Sequence, residues 1–274
     1  MSATTPTQRL ANRRTGFLAA ALLAPALSLL AGGATETFEK TYDLAGITKV
    51  RLQNVNGTVR VETWDKDQFR LTATKRATGS RAEQNLKETE IRVGKTGSSI
   101  EVETILPKRN KIFGLFFWGN GTAVDVNYEL FLPAATALDI ETVNGKIVAE
   151  KRGAGLTLSS VNGSIRVDAQ AGPLRATTVN GSVEVEFAGP IRAADLETVN
   201  GSVSVAGTRD SSIRCDLQTV NGKIQSEFTG LSVEGKWGPR EAKGTVNGGR
   251  ERVAIQTVNG SVRLHVLDET VAKK

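Results

Sequence analysis

Few residues in this chain have the types or spacing to carry covalent or metal chemistry. Among 274 residues there is one histidine, His265, and one cysteine, Cys215. A Ser-His-Asp or Cys-His system would have to use His265. By parity with Val262 and Leu264 that side chain points out of a strand, and the sequence places no nucleophile beside it. Zinc sites want clusters of Cys and His, and none is present. The calcium-binding nonapeptide Gly-Gly-x-Gly-x-Asp is missing too, as are the glycine patterns that bind phosphates and dinucleotides. Cys215 has no partner for an internal disulfide and reads as a small packing residue. Asp139, Asp195 and Asp216 each stand five residues before the Asn of a repeated triplet. Stacking of consecutive repeats would set Asp195 and Asp216 about 4.8 Å apart. There they would hold a cation or, more simply, repel one another in water. No catalytic residue, metal or cofactor is expected.

The triplet is Val-Asn-Gly, and it occurs eight times. Six copies, Asn144-Gly145, Asn162-Gly163, Asn180-Gly181, Asn200-Gly201, Asn221-Gly222 and Asn259-Gly260, share one context at spacings of 18, 18, 20, 21 and 38 residues. Taking 38 as two periods of 19, a period near 20 indicates a stacked repeat. Four residues before each Asn stand Ile140, Leu158, Ala176, Leu196, Leu217 and Ile255; two before stand Thr142, Ser160, Thr178, Thr198, Thr219 and Thr257. Three after stand Ile147, Ile165, Val183, Val203, Ile224 and Val262. Alternation with a period of two on both sides of Asn-Gly means strand, bend, strand. The twelve Asn and Gly residues are therefore read as structural turns.

Two all-β arrangements fit. Asn-Gly between alternating strands is a strong hairpin signal, because a type I′ turn needs φ > 0 at both central residues, and hairpins would give an antiparallel meander. In a right-handed β-helix or β-solenoid with coils of about 18–21 residues the flanking strands would instead pair with their equivalents one coil along. Like residue types at these three offsets, and at five after Asn, where Ala149, Val167, Val185, Val205, Ser226 and Leu264 stand, favour the solenoid, since stacking demands matched size and polarity at each level. The same arrangement would let the Val before each Asn tuck inward and the Asn amides form a ladder.

Residues 1–34 read as a secretory signal peptide. Arg9, Arg13 and Arg14 precede the apolar run Phe17 to Leu30, and Gly32 and Ala34 suit cleavage after Ala34. A retained membrane anchor is the alternative, but the run is shorter than the roughly 20 residues a span needs. The formal net charge of +6 falls to +6 − 3 = +3 without that segment, which is no nucleic-acid footprint. Residues 35–135 form a less regular β region containing the isolated copy Val55-Asn56-Gly57. Residues 136–267 form the regular array, continuous by pattern with the region before it, and 268–274 a polar tail.

Asn54 to Asp65 reads Asn-Val-Asn-Gly-Thr-Val-Arg-Val-Glu-Thr-Trp-Asp, and later copies read Thr-Val-Asn-Gly-Ser-Val. In these motifs the chain, over roughly Thr35 to Leu267, resembles the putative adhesin family of bacterial envelope proteins and, more distantly, the head domains of putative autotransporter adhesins. The resemblance implies a right-handed β-helix-like fold in the periplasm or at the cell surface, and it carries no catalytic residues over.

One segment departs from the pattern. Ile112 to Trp118 holds Phe113, Phe116, Phe117 and Trp118 directly after Lys108, Arg109 and Lys111. Its favoured reading is a cover over an open end or flank of the stack; the other is an apolar tip for a membrane or a partner. Function is then expected to be non-enzymatic: an exported surface or scaffold whose partner is an envelope protein, a glycan or another copy of itself, and not nucleic acid. The alternative is a polysaccharide-active β-helix enzyme, which would need acidic residues on adjacent layers. The outward position three before each Asn carries Glu141, Ser159, Thr177, Glu197, Gln218 and Gln256, which does not supply them.

Overall fold

The computed structural model describes residues 26–30, 33–107, 124–235 and 238–267. Within them the protein is all-β apart from the short helix Ala82–Glu88, and its strands form two 11-stranded mixed sheets. Each Val-Asn-Gly carries the chain from one sheet to the other. Leu156–Asn162 lies in the first sheet and pairs in parallel with Ala137–Thr142 on one side and Leu174–Asn180 on the other. Ile165–Gln170, after the bend, lies in the second sheet, in parallel between Ile147–Glu150 and Val183–Phe187. The two strands of one repeat do not pair with each other, so the hairpin alternative is not what forms in the array. Torsion angles give the reason. Among the described residues none of the six in-phase Asn or Gly residues has positive φ, which a type I′ turn requires at both.

Antiparallel pairing is confined to the ends. At one end Gln68–Thr78, Gly33–Asp43 and Ala26–Leu30 continue the second sheet, while Glu90–Thr96 closes the first. At the other, Arg240–Val246 and Leu231–Glu234 form a hairpin on the outside of Ile213–Asn221. Gly33–Asp43 begins two residues before the expected cleavage point, and Ala34 is buried.

The layers do not follow chain order. Glu251–Asn259 pairs with Ala194–Asn200 on one side and Ile213–Asn221 on the other. Val262–Leu267 likewise lies between Val203–Thr208 and Ile224–Ser226. The last repeat thus fills a slot between two earlier ones. The 38-residue interval is not two steps along the stack; it is one step back into it. Near the other end Lys49–Gln53 lies between Ser99–Ile105 and Ala137–Thr142 in the same way.

Between the sheets the apolar columns meet. Leu52, Ile140, Leu158, Ala176, Leu196, Ile255 and Leu217 line one, and Val59, Ile147, Ile165, Val183, Val203, Val262 and Ile224 line the facing one, all buried. In-register stacking keeps each column free of steps, because like residues occupy like positions. At the bend opposite the Asn edge, Lys151 and Ala169 occupy equivalent places with φ of 54° and 53°. The following residues, Arg152 and Gln170, are fully buried. The Arg152 guanidinium donates to Thr63 Oγ1 and to the carbonyls of Leu132, Pro133 and Thr136. Gln170 Nε2 donates to the carbonyls of Ala154 and Gly172 at 3.1 and 3.0 Å. Both side chains satisfy bend carbonyls that would otherwise be orphaned indoors. Burial without a carboxylate pushes the Arg152 guanidinium down to about 10.

Candidate functional site: the Val-Asn-Gly edge

Each position of the triplet and its neighbours makes a separate row along one edge of the stack. Two residues before Asn, the buried hydroxyls reach to the preceding layer. Ser160, Thr178, Thr198, Thr257 and Thr219 donate to the carbonyls of Gly145, Gly163, Gly181, Gly201 and Gly260 at 2.8–3.1 Å. Thr142 breaks the series: its buried hydroxyl has no hydrogen-bond partner. In the layer beyond it Asn54 holds the equivalent position, and its Nδ2 already points at the carbonyls of Asn56 and Gly57.

The Asn amides form a continuous ladder. Asn221 donates to Asn259, which donates to Asn200, then Asn180, Asn162, Asn144 and Asn56 in turn, each at 2.7–2.8 Å. That order repeats the strand order, with Asn259 between Asn221 and Asn200. Two residues after Asn a row of serines adds a further set. The backbone N–H groups of Ser182, Ser202, Ser261 and Lys223 donate to Ser164, Ser182, Ser202 and Ser261 Oγ at 3.1–3.3 Å. The glycines are required by proximity. A Cβ on Gly163, Gly181, Gly201, Gly222 or Gly260 would collide with the backbone carbonyl of the glycine one layer away. Close approach, and not left-handed torsion, selects Gly there.

The Val row does not tuck inward. Val161, Val179, Val199, Val220 and Val258 are 39–42% exposed. The inward place at the bend is taken by the Thr row, whose hydroxyls have backbone acceptors there, so alternation puts Val outside.

The titratable residues singled out in the sequence are dispersed. Asp195 and Asp216 are not neighbours: Ala254, on the inserted strand, stands between them. Asp195 instead accepts from Arg175 at 2.7 Å, and Asp216 accepts from Gln218 at 3.1 Å. Asp139 accepts from Lys49 at 2.9 Å. Glu141 accepts from Arg51 and Gln53 at 2.6 and 3.0 Å, and the Arg51 contact first, then Gln53, holds its carboxyl below the usual range. His265 lies on the outer face with Nδ1 3.3 Å from Glu227 Oε1, and Glu227 also accepts the Val266 N–H at 2.7 Å. Cys215 is buried and unpaired, and burial pushes its thiol up to about 11. The edge therefore offers methyls, amides and hydroxyls in register.

Phe113, Phe116, Phe117 and Trp118 lie outside the described residues, as do the residues before 26 and the tail after 267. The strands flanking that aromatic segment, Ser99–Ile105 and Val124–Leu132, pair with those flanking Asn56. Sequence reasoning did not single out Arg152 and Gln170, because a guanidinium and an amide ordinarily face solvent. It also missed an outer cluster in which Arg70 stacks 4.2 Å from the Phe131 ring and 5.2 Å from Trp64. Phe131 lies opposite Arg70 across a strand pair, which the sequence could not show without the topology.

No family model and no curated protein matches the chain. Solved structures resemble it at a distance. A putative cell adhesion protein from Clostridium sporogenes superposes with a TM-score of 0.48 at 12% identity, covering 85% of this chain and 100% of its own. A putative adhesin from Bacteroides fragilis gives 0.41 at 9% identity, covering 83% and 96%. A putative lipid binding protein from Parabacteroides distasonis gives 0.31 at 12% identity, covering 85% and 97%. Among the described residues no helix is long and apolar enough to cross a membrane.

Proposed function

We propose that the protein is a non-enzymatic, adhesin-like envelope component, a right-handed β-solenoid exported by its leading segment to the periplasm or cell surface. Its edge of Val, Asn and Ser rows serves as a binding or scaffold surface. The observation that carries this reading is the periodicity of uncharged side chains along the edge: over the central four layers one Val, one Asn and one Ser per layer, repeated in register. Repetition of weak contacts at a fixed pitch suits an extended partner, because each added layer multiplies the hold of the last. Coil-to-coil parallel pairing supports the solenoid reading, since a parallel neighbour requires the chain to travel round before it returns.

The test is to immobilise the purified protein and challenge it with envelope glycans and an envelope protein fraction, scoring retention and cleavage together. Retention without cleavage, lost when Val179 and Val199 become Lys, is expected. Release of cut glycan would replace this reading with a polysaccharide-active enzyme.

A further inference from the structure

Five of the six exposed large hydrophobic side chains among the described residues fall in a single row; Val233 is the sixth. Each other position of the motif has an internal account: Thr bonds a glycine carbonyl, Asn bonds Asn, Gly makes room, and Ser accepts a backbone N–H. Val has none. A strand position open to water accepts Thr or a charged residue as readily, and exposed apolar strand surface is normally blunted with charge. We infer that the Val row is a homotypic contact, through which two copies of the chain associate edge to edge. The inference rests on the proposed role of this edge as a binding surface and names its partner.

Pitch and charge select a second copy. Successive valines stand one strand spacing apart, about 4.8 Å, whereas same-face side chains of an extended peptide recur about every 6.6–6.8 Å and fall out of step. An identical edge has an identical pitch, so methyls of one copy seat between methyls of the other along the row, as paired sheets do in a dry zipper. Between Ser164 and Ser261 the row flanking Asn bears only hydroxyls, and Lys146 and Lys223 stand at its two ends. On that flank facing copies oppose no like charges over the central four layers, and the lysines end the contact there; on the other flank, two residues before Val, the same layers carry Ser159, Thr177, Glu197 and Gln256, with Glu197 3.7 Å from Arg175, so the copies meet on the Asn-Ser side. A lipid surface fits worse: it would desolvate the spare N–H and oxygen of every Asn beside the valines. The row is one side chain wide, so the contact lies below the roughly 800 Å² per partner of a standard interface and is weak and reversible.

The experiment is sedimentation velocity of the protein purified from envelope fractions, after any processing, without added ligand. The parent is expected to shift from monomer toward dimer with a dissociation constant on the order of 0.1–1 mM. Val179→Lys/Val199→Lys should remain monomeric and melt within a few degrees of the parent, while Val233→Lys, off the row, should associate as the parent does. Should the Lys pair fail to fold, Val179→Thr/Val199→Thr keeps the β-branched shape and should weaken association at least threefold. A parent that stays monomeric over this range, or row variants that associate as the parent does, would overturn the inference. A monomeric parent that still retains envelope glycans would leave the proposed function standing.

Discussion

Gly201 shows at one residue how stacking, and not turn torsion, writes the motif. Its added Cβ would strike the Gly181 carbonyl carbon at 2.5 Å, a clash with backbone that cannot rotate away. Gly201→Val should cost several kcal/mol, at the scale of overpacked or strained core sites. Ser204→Val, half-buried between Glu184 and Arg263 on the outer face, should stay within about 0.5 kcal/mol. Thermal melts of the two variants check the pair, and equal shifts would refute the assignment. Cys215 gives a second residue-scale test. A thiol held up at about 11 and 3% exposed carries almost no thiolate at pH 8. Native protein should resist iodoacetamide at pH 8 and label at the rate of a free thiol once denatured; rapid native labelling would mean that the strand Ile213–Asn221 opens.

The Thr row is an element-scale device, because each hydroxyl ties its strand to the bend of the layer before. Thr178→Val removes the bond to the Gly163 carbonyl and leaves that acceptor unsatisfied, which should cost about 1–2 kcal/mol. Thr142→Val should be neutral or mildly stabilising, since its buried hydroxyl bonds nothing. Chemical denaturation of both variants tests the contrast, and equal losses would show that the hydroxyls do not carry it. These strands were legible in sequence: the columns four before and three after each Asn are buried throughout, Ile140, Leu158 and Leu196 among them, while five after Asn the column breaks at half-buried Ser226. The sense of the Val side chain was not legible. Parity fixes which residues alternate along a straight strand, but at a bend it is decided by which side chain finds an indoor acceptor, and only the neighbouring layer supplies the glycine carbonyl that draws Thr inside.

At the scale of the molecule, the sequence carried the number of repeats but not their order. Spacing measures distance along the chain, and a 38-residue interval is as compatible with return as with advance. What decides it is the pairing of both faces of Glu251–Asn259, together with the out-of-phase copy Val246-Asn247-Gly248. There Asn247 and Gly248 do take positive φ, at 46° and 88°, and the loop crosses the start of Ile213–Asn221 to reach the slot. Ending the chain at Gly249 should therefore do more than shorten the stack. It should leave the strands of residues 194–208 and 213–226 facing an empty layer, and the product should lose the parent's single cooperative melt and aggregate. A truncated chain that melts in one transition near the parent's temperature would contradict the inserted layer.

That placement ties soundness to completeness. A chain made amino end first presents the residues of the slot's two walls before the residues that fill it. Until the final stretch arrives, two rows of backbone donors and acceptors stand open in the middle of the molecule, and open strand edges invite sticking and digestion. A ribosome that stalls early or a protease that clips late thus yields a product marked by its own gap. The inserted layer works as a seal that only a chain carrying residues 251–267 can apply.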